Sequence, residues 1–149
     1  MRWIMKKMNV ISRCQAIYRS KNTSCEELKP VHHTFILTVA KEAGLSQDQI
    51  AERVCMDKSG VARVLNYLEE RGYVRREVNK QDKRVLQVYP TEQLEAVLPH
   101  VREISRNWNE ALTADFTEEE MDLFVDVLSR MEERAKALAE QSKEEVETT

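Results

Sequence analysis

The sequence predicts a mainly α-helical protein with a small β component (α+β), centred on a winged helix-turn-helix. Two short amphipathic helices joined by a tight turn are indicated within residues 46–71. The apolar spacing then changes from about 3.6 residues to about 2 residues within 73–89, which is typical of a β-hairpin. Longer helical patterns lie on both sides of this unit, and the 149 residues contain only three glycines and three prolines.

Two helices are predicted before the central unit. Apolar side chains recur at helical spacing through residues 3–20 and again through 31–43. Pro30 fits the first turn of the second helix, because a backbone N–H would have no helical partner at that position. Gly44 fits the residue that ends this helix.

Two N-terminal caps mark the helix-turn-helix. Ser46 and Gln49 have the spacing of a capping box, which predicts a short helix ending at Met56. Asp57 is a good cap for the next helix, which should run to about Arg71. The apolar face of that helix is formed by Val61, Val64, Leu65 and Leu68.

A β-hairpin with a basic tip is predicted next. Two β-rich runs within residues 73–89 are separated by a polar turn that carries Lys80, Lys83 and Arg84. Such a tip can place Arg84 in the narrow minor groove of DNA, where the negative potential is strongest. Asp82 either holds Arg84 extended through a charge-assisted hydrogen bond or is an ordinary turn aspartate.

The C-terminal part predicts two further helices. The first should run from Thr91 to about Ala114, with a kink at Pro99. A second capping box at Thr117–Glu120 opens the last helix. The polar residues from Gln141 onwards are expected to fray.

The predicted organisation is one domain with four parts. Residues 1–29 form an N-terminal dimerisation helix and loop, 30–91 the winged helix-turn-helix, 92–140 the C-terminal dimerisation helices, and 141–149 a flexible tail. A winged helix needs only the central part for its own core. The apolar stripes of the first helix and the last two therefore predict a homodimer, in which a twofold mate covers them.

Charge is unevenly distributed along the chain, whose net charge is −3. Residues 1–22 carry six basic and no acidic side chains, 57–84 carry eight basic and five acidic, and 110–149 carry four basic and thirteen acidic. An acidic total does not exclude nucleic-acid binding, because the local field governs it. Residues 57–84 form the segment whose positive charge favours binding of a polyanion.

The second helix of the helix-turn-helix has a polar face suited to the major groove. This face presents Lys58, Ser59, Gly60, Ala62, Arg63 and Asn66. Arg63 can bond O6 and N7 of guanine, Asn66 can read adenine, and the Ala62 methyl can meet a thymine methyl. Lys58 and Ser59 suit phosphate contacts near the helix start. An ordinary solvated face is the alternative, and the basic hairpin favours DNA binding.

Several motifs resemble those of one known family. They are Gly44–Glu52, Asp57–Arg63, Gly72–Arg76 and the Asp82-Lys83-Arg84 sequence in the predicted wing. Over about residues 30–140 the chain resembles the multiple-antibiotic-resistance regulators, the MarR family. It departs from their pattern at Pro90, where leucine is usual, and it lacks the customary glycine soon after Thr91.

The resemblance implies a homodimer that binds double-stranded, pseudo-palindromic DNA as a transcription regulator, usually a repressor. It also implies release of DNA on binding a small phenolic or lipophilic effector. His33 and Trp108 are candidates to line the effector pocket, although Trp108 can equally be a core aromatic residue. No cofactor is implied.

A thiol-based sensor is a second hypothesis within the same family. The peroxide-sensing branch uses a cysteine of the first helix bonded to tyrosines, and Cys14 with Tyr18 partly resembles that arrangement. The alternative is a small buried residue at the dimer seam. All three cysteines of the chain are expected to be free thiols, because none has a C-x-x-C spacing.

Other classes of function are less well supported. No metal site is expected, because the adjacent His32 and His33 would point about 100° apart on a helix. No phosphate-binding glycine loop or hydrolase motif suggests an enzyme. A winged helix used only for protein contacts stays open. The chain has no apolar run of roughly 18 residues and no signal-like start, so we expect a cytoplasmic protein without membrane partners.

Overall fold

The computed structural model describes residues 3–147, and side chains as far as residue 142. The helices are α1 (Ile4–Asn22), α2 (Pro30–Lys41), α3 (Gln47–Val54), α4 (Lys58–Glu70), α5 (Glu92–Thr113) and α6 (Glu118–Glu147). The strands are β1 (Leu45–Ser46), β2 (Val74–Val78) and β3 (Leu86–Pro90). The predicted mainly α-helical winged helix-turn-helix is confirmed.

The helix-turn-helix begins and ends at the predicted caps. Ser46 Oγ accepts a hydrogen bond from Gln49 N, and Gln49 Oε1 accepts one from Ser46 N, so the capping box of α3 is complete. Cys55 adopts a left-handed conformation with φ 51°, which ends α3 shortly before the predicted residue. Asp57 Oδ1 accepts from Gly60 N at 2.8 Å and caps α4.

The wing is a three-stranded antiparallel sheet with the order β1-β3-β2. β2 pairs with β3 as predicted for the hairpin, with Arg76 opposite Val88. The additional strand β1 pairs Leu45 with Val88. Sequence analysis did not predict β1, because two residues are too few to show an alternating pattern.

The core lies between the helix-turn-helix, the sheet and α5. Val61, Leu65 and Leu68 of α4 are fully buried, whereas Val64 is half-buried. The remaining buried apolar residues of this cluster are Leu28, Phe35, Ile36, Val39, Leu45, Ile50, Ala51, Tyr73, Val74, Val88, Leu94, Leu98 and Val101. This core fixes α4 by one face and leaves its opposite face exposed.

The junction between the wing and α5 is held by Thr91. Its Oγ1 contacts the carbonyl oxygens of Gly72 and Tyr73, at 2.5 and 3.0 Å, and accepts a hydrogen bond from Leu94 N. Pro90 lies in β3 opposite Val74. The chain therefore leaves the hairpin next to the point where it entered it.

The chain divides into two compact units, with the boundary in the sequence between Trp108 and Asn109. In the second unit, Thr117 and Glu120 form the predicted capping box at the start of α6. α6 continues past Gln141 to Glu147, where the sequence had predicted a frayed tail. Thr148 and Thr149 lie outside the described residues.

Candidate nucleic-acid interface

The exposed face of α4 is small, polar and basic. Ser59, Arg63 and Asn66 are exposed, and Ala62 is half-buried. They lie opposite Leu65 and the other core residues of the helix, so burial of one face orients the other outwards. The dimensions of an α-helix allow such a face to enter the major groove of DNA.

Gly60 does not belong to this exposed face, although the sequence suggested that it did. It is buried beneath the cap, because Asp57 accepts a hydrogen bond from its N–H. A methyl group added at Gly60 would lie 3.1 Å from Asp57 Oδ2 and 3.2 Å from Met56 Cε. Gly60 thus supports the turn before α4. It is buried and is not available for contact with a ligand.

The start of α4 carries polar groups that already have partners within the chain. Lys58 Nζ lies 3.0 Å from Asp48 Oδ2, and both side chains are largely exposed. Ser59 Oγ donates to Asp57 Oδ1 at 2.7 Å. This hydrogen bond, followed by the one from Gly60 N–H, lowers the pKa of Asp57. The exposed pair of Lys58 is worth about 1 kcal/mol or less, so a phosphate can replace Asp48.

At the wing tip, Arg84 is hydrogen-bonded to Asp82. Arg84 N and Nε both donate to Asp82 Oδ1 at 3.1 Å, and Nη2 lies 3.4 Å from Oδ2. The side-chain hydrogen bond from Arg84 lowers the pKa of Asp82. The side chain of Arg84 is nevertheless 90% exposed. Lys80 and Lys83 are also exposed.

Asn79 organises the same turn and was not singled out by the sequence analysis. Its Oδ1 accepts from Gln81 N at 2.7 Å and from Asp82 N at 3.1 Å. Its own N–H donates to Val85 O, which closes the hairpin. An asparagine at the start of a polar turn is the available signal, because its side chain can bond backbone N–H groups two and three residues ahead.

A second unpredicted group links the wing to α4. Arg76 of β2 donates from its backbone N to Glu69 Oε1 and from Nε to Glu69 Oε2. Its Nη2 donates to Asn66 Oδ1 at 2.7 Å and also contacts Glu69 Oε2. The side-chain hydrogen bond from Arg76 lowers the pKa of Glu69. Helical and strand periodicities carry no signal for this contact, because it joins two elements.

Comparison with known proteins shows a likeness to one family of transcription regulators. The model of the MarR family matches residues 27–85. The uncharacterized HTH-type transcriptional regulator YybA of Bacillus subtilis (strain 168) is 23% identical over 128 residues, covering 86% of this chain and 85% of that protein. The chain is therefore similar to the MarR family of winged-helix transcription regulators. Members of the family are transcription regulators and not enzymes, and DNA binding is implied by the family.

Two solved structures, one of them a DNA complex and one a ligand complex, share this fold. A MarR-family regulator from Listeria monocytogenes, complexed with 26mer DNA, has a TM-score of 0.81 at 21% identity, covering 90% of this chain and 89% of that one. PcaV from Streptomyces coelicolor, in complex with its natural ligand, has a TM-score of 0.75 at 23% identity, covering 86% of this chain and 90% of that one.

Side chains of α2 and α5 also contact the C-terminal end of α1 and the residue that follows it. His33 is fully buried, and its Nε2 lies 2.9 Å from Thr23 Oγ1. Burial, and then the positive charge of Arg19, lower the pKa of His33 to about 4. Trp108 is half-buried, with its ring 5.3 Å from that of Tyr18. The two predicted effector-pocket residues therefore each lie against the C-terminal end of α1, His33 beside Thr23 and Trp108 beside Tyr18.

The other candidates occupy different places. Cys14 is exposed on α1, and the ring of its expected partner Tyr18 packs against Trp108. An open groove of about 710 Å³ along α5 is lined by residues such as His100 and Arg102, and neither His33 nor Trp108 lines it. Among residues 3–147, no helix is long and apolar enough to cross a bilayer. The described side chains include no cluster of three or more potential metal ligands.

Proposed function

We propose that this chain is a MarR-family regulator that binds a pseudo-palindromic operator as a homodimer, with α4 in the major groove and the wing tip in the adjacent minor groove. One observation carries the proposal. Arg63 is exposed on the face of α4 opposite the buried Leu65, while Arg84 is exposed at the tip of the hairpin. A guanidinium in each position matches the acceptors of guanine and the negative potential of a narrow minor groove.

Selection from a random pool of double-stranded DNA tests this proposal. We expect enrichment of an inverted repeat whose half-sites lie about 10 base pairs apart or a multiple of that distance. Arg63→Ala should remove the preference at one base position in each half-site and weaken binding by about 1–3 kcal/mol. Arg102→Ala is the matched control, because it removes the same charge from an exposed position on α5. Equal enrichment of all sequences by the unmodified protein would refute the proposal.

The homodimer is supported by the apolar surface of the terminal helices. α1 has no buried residue, and Leu123, Phe124 and Leu138 of α6 are all more than half exposed. A second copy of the chain suits these faces because their charges are opposite. α1 carries five basic and no acidic side chains, and α6 carries four basic and eleven acidic ones.

Sedimentation of two variants tests the dimer. Phe124 on α6 and Val78 at the end of β2 are both 55% exposed, so replacing either by glutamate adds the same charge to a similarly exposed apolar position. We expect Phe124→Glu to shift the protein to the mass of one chain, because it buries a charge in the proposed interface. Val78→Glu should leave the dimer intact. A monomeric unmodified protein would contradict the proposal.

We further propose that the protein is a repressor released by a small aromatic effector that donates a hydrogen bond to His33. Thr23 Oγ1 donates its only hydrogen to Arg19 O at 2.7 Å, so it must accept from His33 Nε2–H. Because His33 is neutral, its Nδ1 is then an acceptor. Within the described residues this buried Nδ1 has no hydrogen-bond partner. An aromatic hydroxyl would satisfy it.

Phenol and toluene form a matched pair of probes, because they differ by one hydroxyl group. We expect millimolar phenol to weaken operator binding and to relieve repression of a reporter gene, and toluene to have a much smaller effect. His33→Leu should bind the operator but lose the response to phenol. Equal responses to phenol and toluene, or an undiminished response of His33→Leu, would exclude the role of His33.

A further inference from the structure

Asn66 lies on α4, the recognition helix of the proposed DNA complex. Its side-chain amide is held by the guanidinium of Arg76 from the wing. Arg76 Nη2 lies 2.7 Å from Asn66 Oδ1, while Arg76 Nε lies 2.9 Å from Glu69 Oε2. The side chain of Arg76 is only 19% exposed, and its backbone N–H also donates to Glu69. Arg76 is therefore held by two side chains, those of Asn66 and Glu69, and is not a mobile surface arginine.

The chemistry of arginine decides which way the Asn66 amide points. A guanidinium has five N–H donors and no acceptor, so the Asn66 atom beside it must be the carbonyl oxygen. The Nδ2 amino group of Asn66 then points away from Arg76. Because Asn66 is exposed on the proposed DNA-binding face, it offers two N–H donors to a ligand while its oxygen is engaged.

This orientation conflicts with the reading of adenine that the sequence suggested for Asn66. Recognition of adenine requires Oδ1 to accept from the N6 amino group while Nδ2 donates to N7. Here one lone pair of Oδ1 already accepts from Arg76, and the positive charge of Arg76 disfavours a second N–H donor, such as N6 of adenine, on the same oxygen. An amino group of adenine or cytosine would meet donors at this position, whereas O6 of guanine or O4 of thymine would meet a partner.

We propose that Arg76 is a positioning residue that makes Asn66 a hydrogen-bond donor, so that the base contacted by Asn66 carries a keto oxygen in the major groove, either guanine O6 or thymine O4. This inference rests on the proposed DNA-binding function. Arg63 is likewise a donor only. The exposed face of α4 therefore selects acceptors at both positions, and adenine and cytosine are disfavoured opposite Asn66.

The test is DNA selection by the full-length protein and by Asn66→Ala, followed by affinity measurements on single-base variants of the selected operator. The position whose preference disappears in Asn66→Ala is the one that Asn66 reads. We expect guanine or thymine there in the unmodified protein, and a loss of about fivefold or more on exchange for adenine or cytosine. The preference assigned to Arg63 should persist in Asn66→Ala.

Two substitutions of Arg76 separate positioning from folding. Arg76→Met removes the donor and frees Asn66 Oδ1, so adenine should become tolerated at this one position. Arg76→Lys keeps a donor and should retain the keto preference. Should Arg76→Met fail to fold, the comparison of the unmodified protein with Asn66→Ala still shows whether the base read by Asn66 carries a keto oxygen.

Adenine or cytosine at the position read by Asn66 in the unmodified protein would overturn this inference and leave the proposed function standing. A uniform loss of affinity in Asn66→Ala, without a change at any one position, would also overturn it, because Asn66 would then contact only phosphate. Binding without any sequence preference would instead remove the proposed function itself.

Discussion

The recognition helix and the wing tip are fixed by different kinds of interaction. α4 buries Val61, Leu65 and Leu68 completely and begins at the Asp57 cap. None of the tip residues 79–85 is buried, and the turn depends on hydrogen bonds made by Asn79 and Asp82 to their near neighbours. The helix is thus placed by the core of the protein, whereas the tip is shaped by its own local sequence.

This difference teaches which properties each region controls. A change inside α4 acts on the stability of the whole winged helix, because Leu65 and its neighbours are part of the core. In the proposed function, a change on the exposed side of α4 acts on the choice of base. A change at the tip would there alter the contact with DNA and leave the core untouched.

The largest expected effect separates a core leucine of α4 from a leucine of the hairpin. Leu65 is fully buried and Leu86 is 41% exposed. Leu65→Ala should lower the free energy of unfolding by about 2–5 kcal/mol, because it leaves a cavity in a closely packed core. Leu86→Ala should cost less than about 1 kcal/mol. Urea unfolding of the two variants measures the difference, and equal costs would contradict the distinction between the two regions.

The next effect compares the arginines of the two regions. Arg63→Ala should weaken operator binding by about 1–3 kcal/mol and leave binding to random DNA nearly unchanged. Arg84→Ala should weaken binding to both kinds of DNA and reduce the salt dependence of log K by about 1. Titrations at several salt concentrations measure both quantities. If Arg84→Ala altered the selected sequence, the tip would read bases in the manner assigned to α4.

Much of this arrangement was predictable from the sequence, because its signals are local. The apolar spacing of α4, the caps at Ser46 and Asp57 and the polar turn of the hairpin all depend on residues close together in the chain. The burial of Gly60 was missed because the helical position alone does not show that Asp57 and Met56 cover it. The contact from Arg76 to Asn66 joins two elements, so only the fold brings it about.

A smaller effect compares the two aspartates that accept backbone hydrogen bonds. Asp57 caps α4, so Asp57→Ala should measurably lower the free energy of unfolding. Asp82 bonds an exposed arginine in a turn, and Asp82→Ala should leave the free energy of unfolding almost unchanged while weakening DNA binding. Thermal unfolding and DNA titration of each variant measure these effects. A larger loss of stability in Asp82→Ala would place the tip within the cooperative core.

The smallest expected effect concerns pH and the carboxylate that ties α4 to the wing. Hydrogen bonds from Arg76 hold the pKa of Glu69 below its ordinary value of 4.5. The folded state therefore favours the ionised carboxylate, and this contribution is complete above pH 4.5 and is lost as the pH falls through the lower folded value. Both partners remain partly solvated, so the contribution should be about 1 kcal/mol or less.

Glu69→Gln and Asp82→Asn extend this pH comparison to both regions. The stability difference between the unmodified protein and Glu69→Gln should be present at pH 6 and should shrink as the pH falls below 4.5. Asp82→Asn should show the weaker pH dependence of the two variants, because Arg84 is almost fully exposed and gains little from the pair. If instead Asp82→Asn showed the stronger pH dependence, the hairpin tip would contribute more to the stability of the fold than the link between Arg76 and α4.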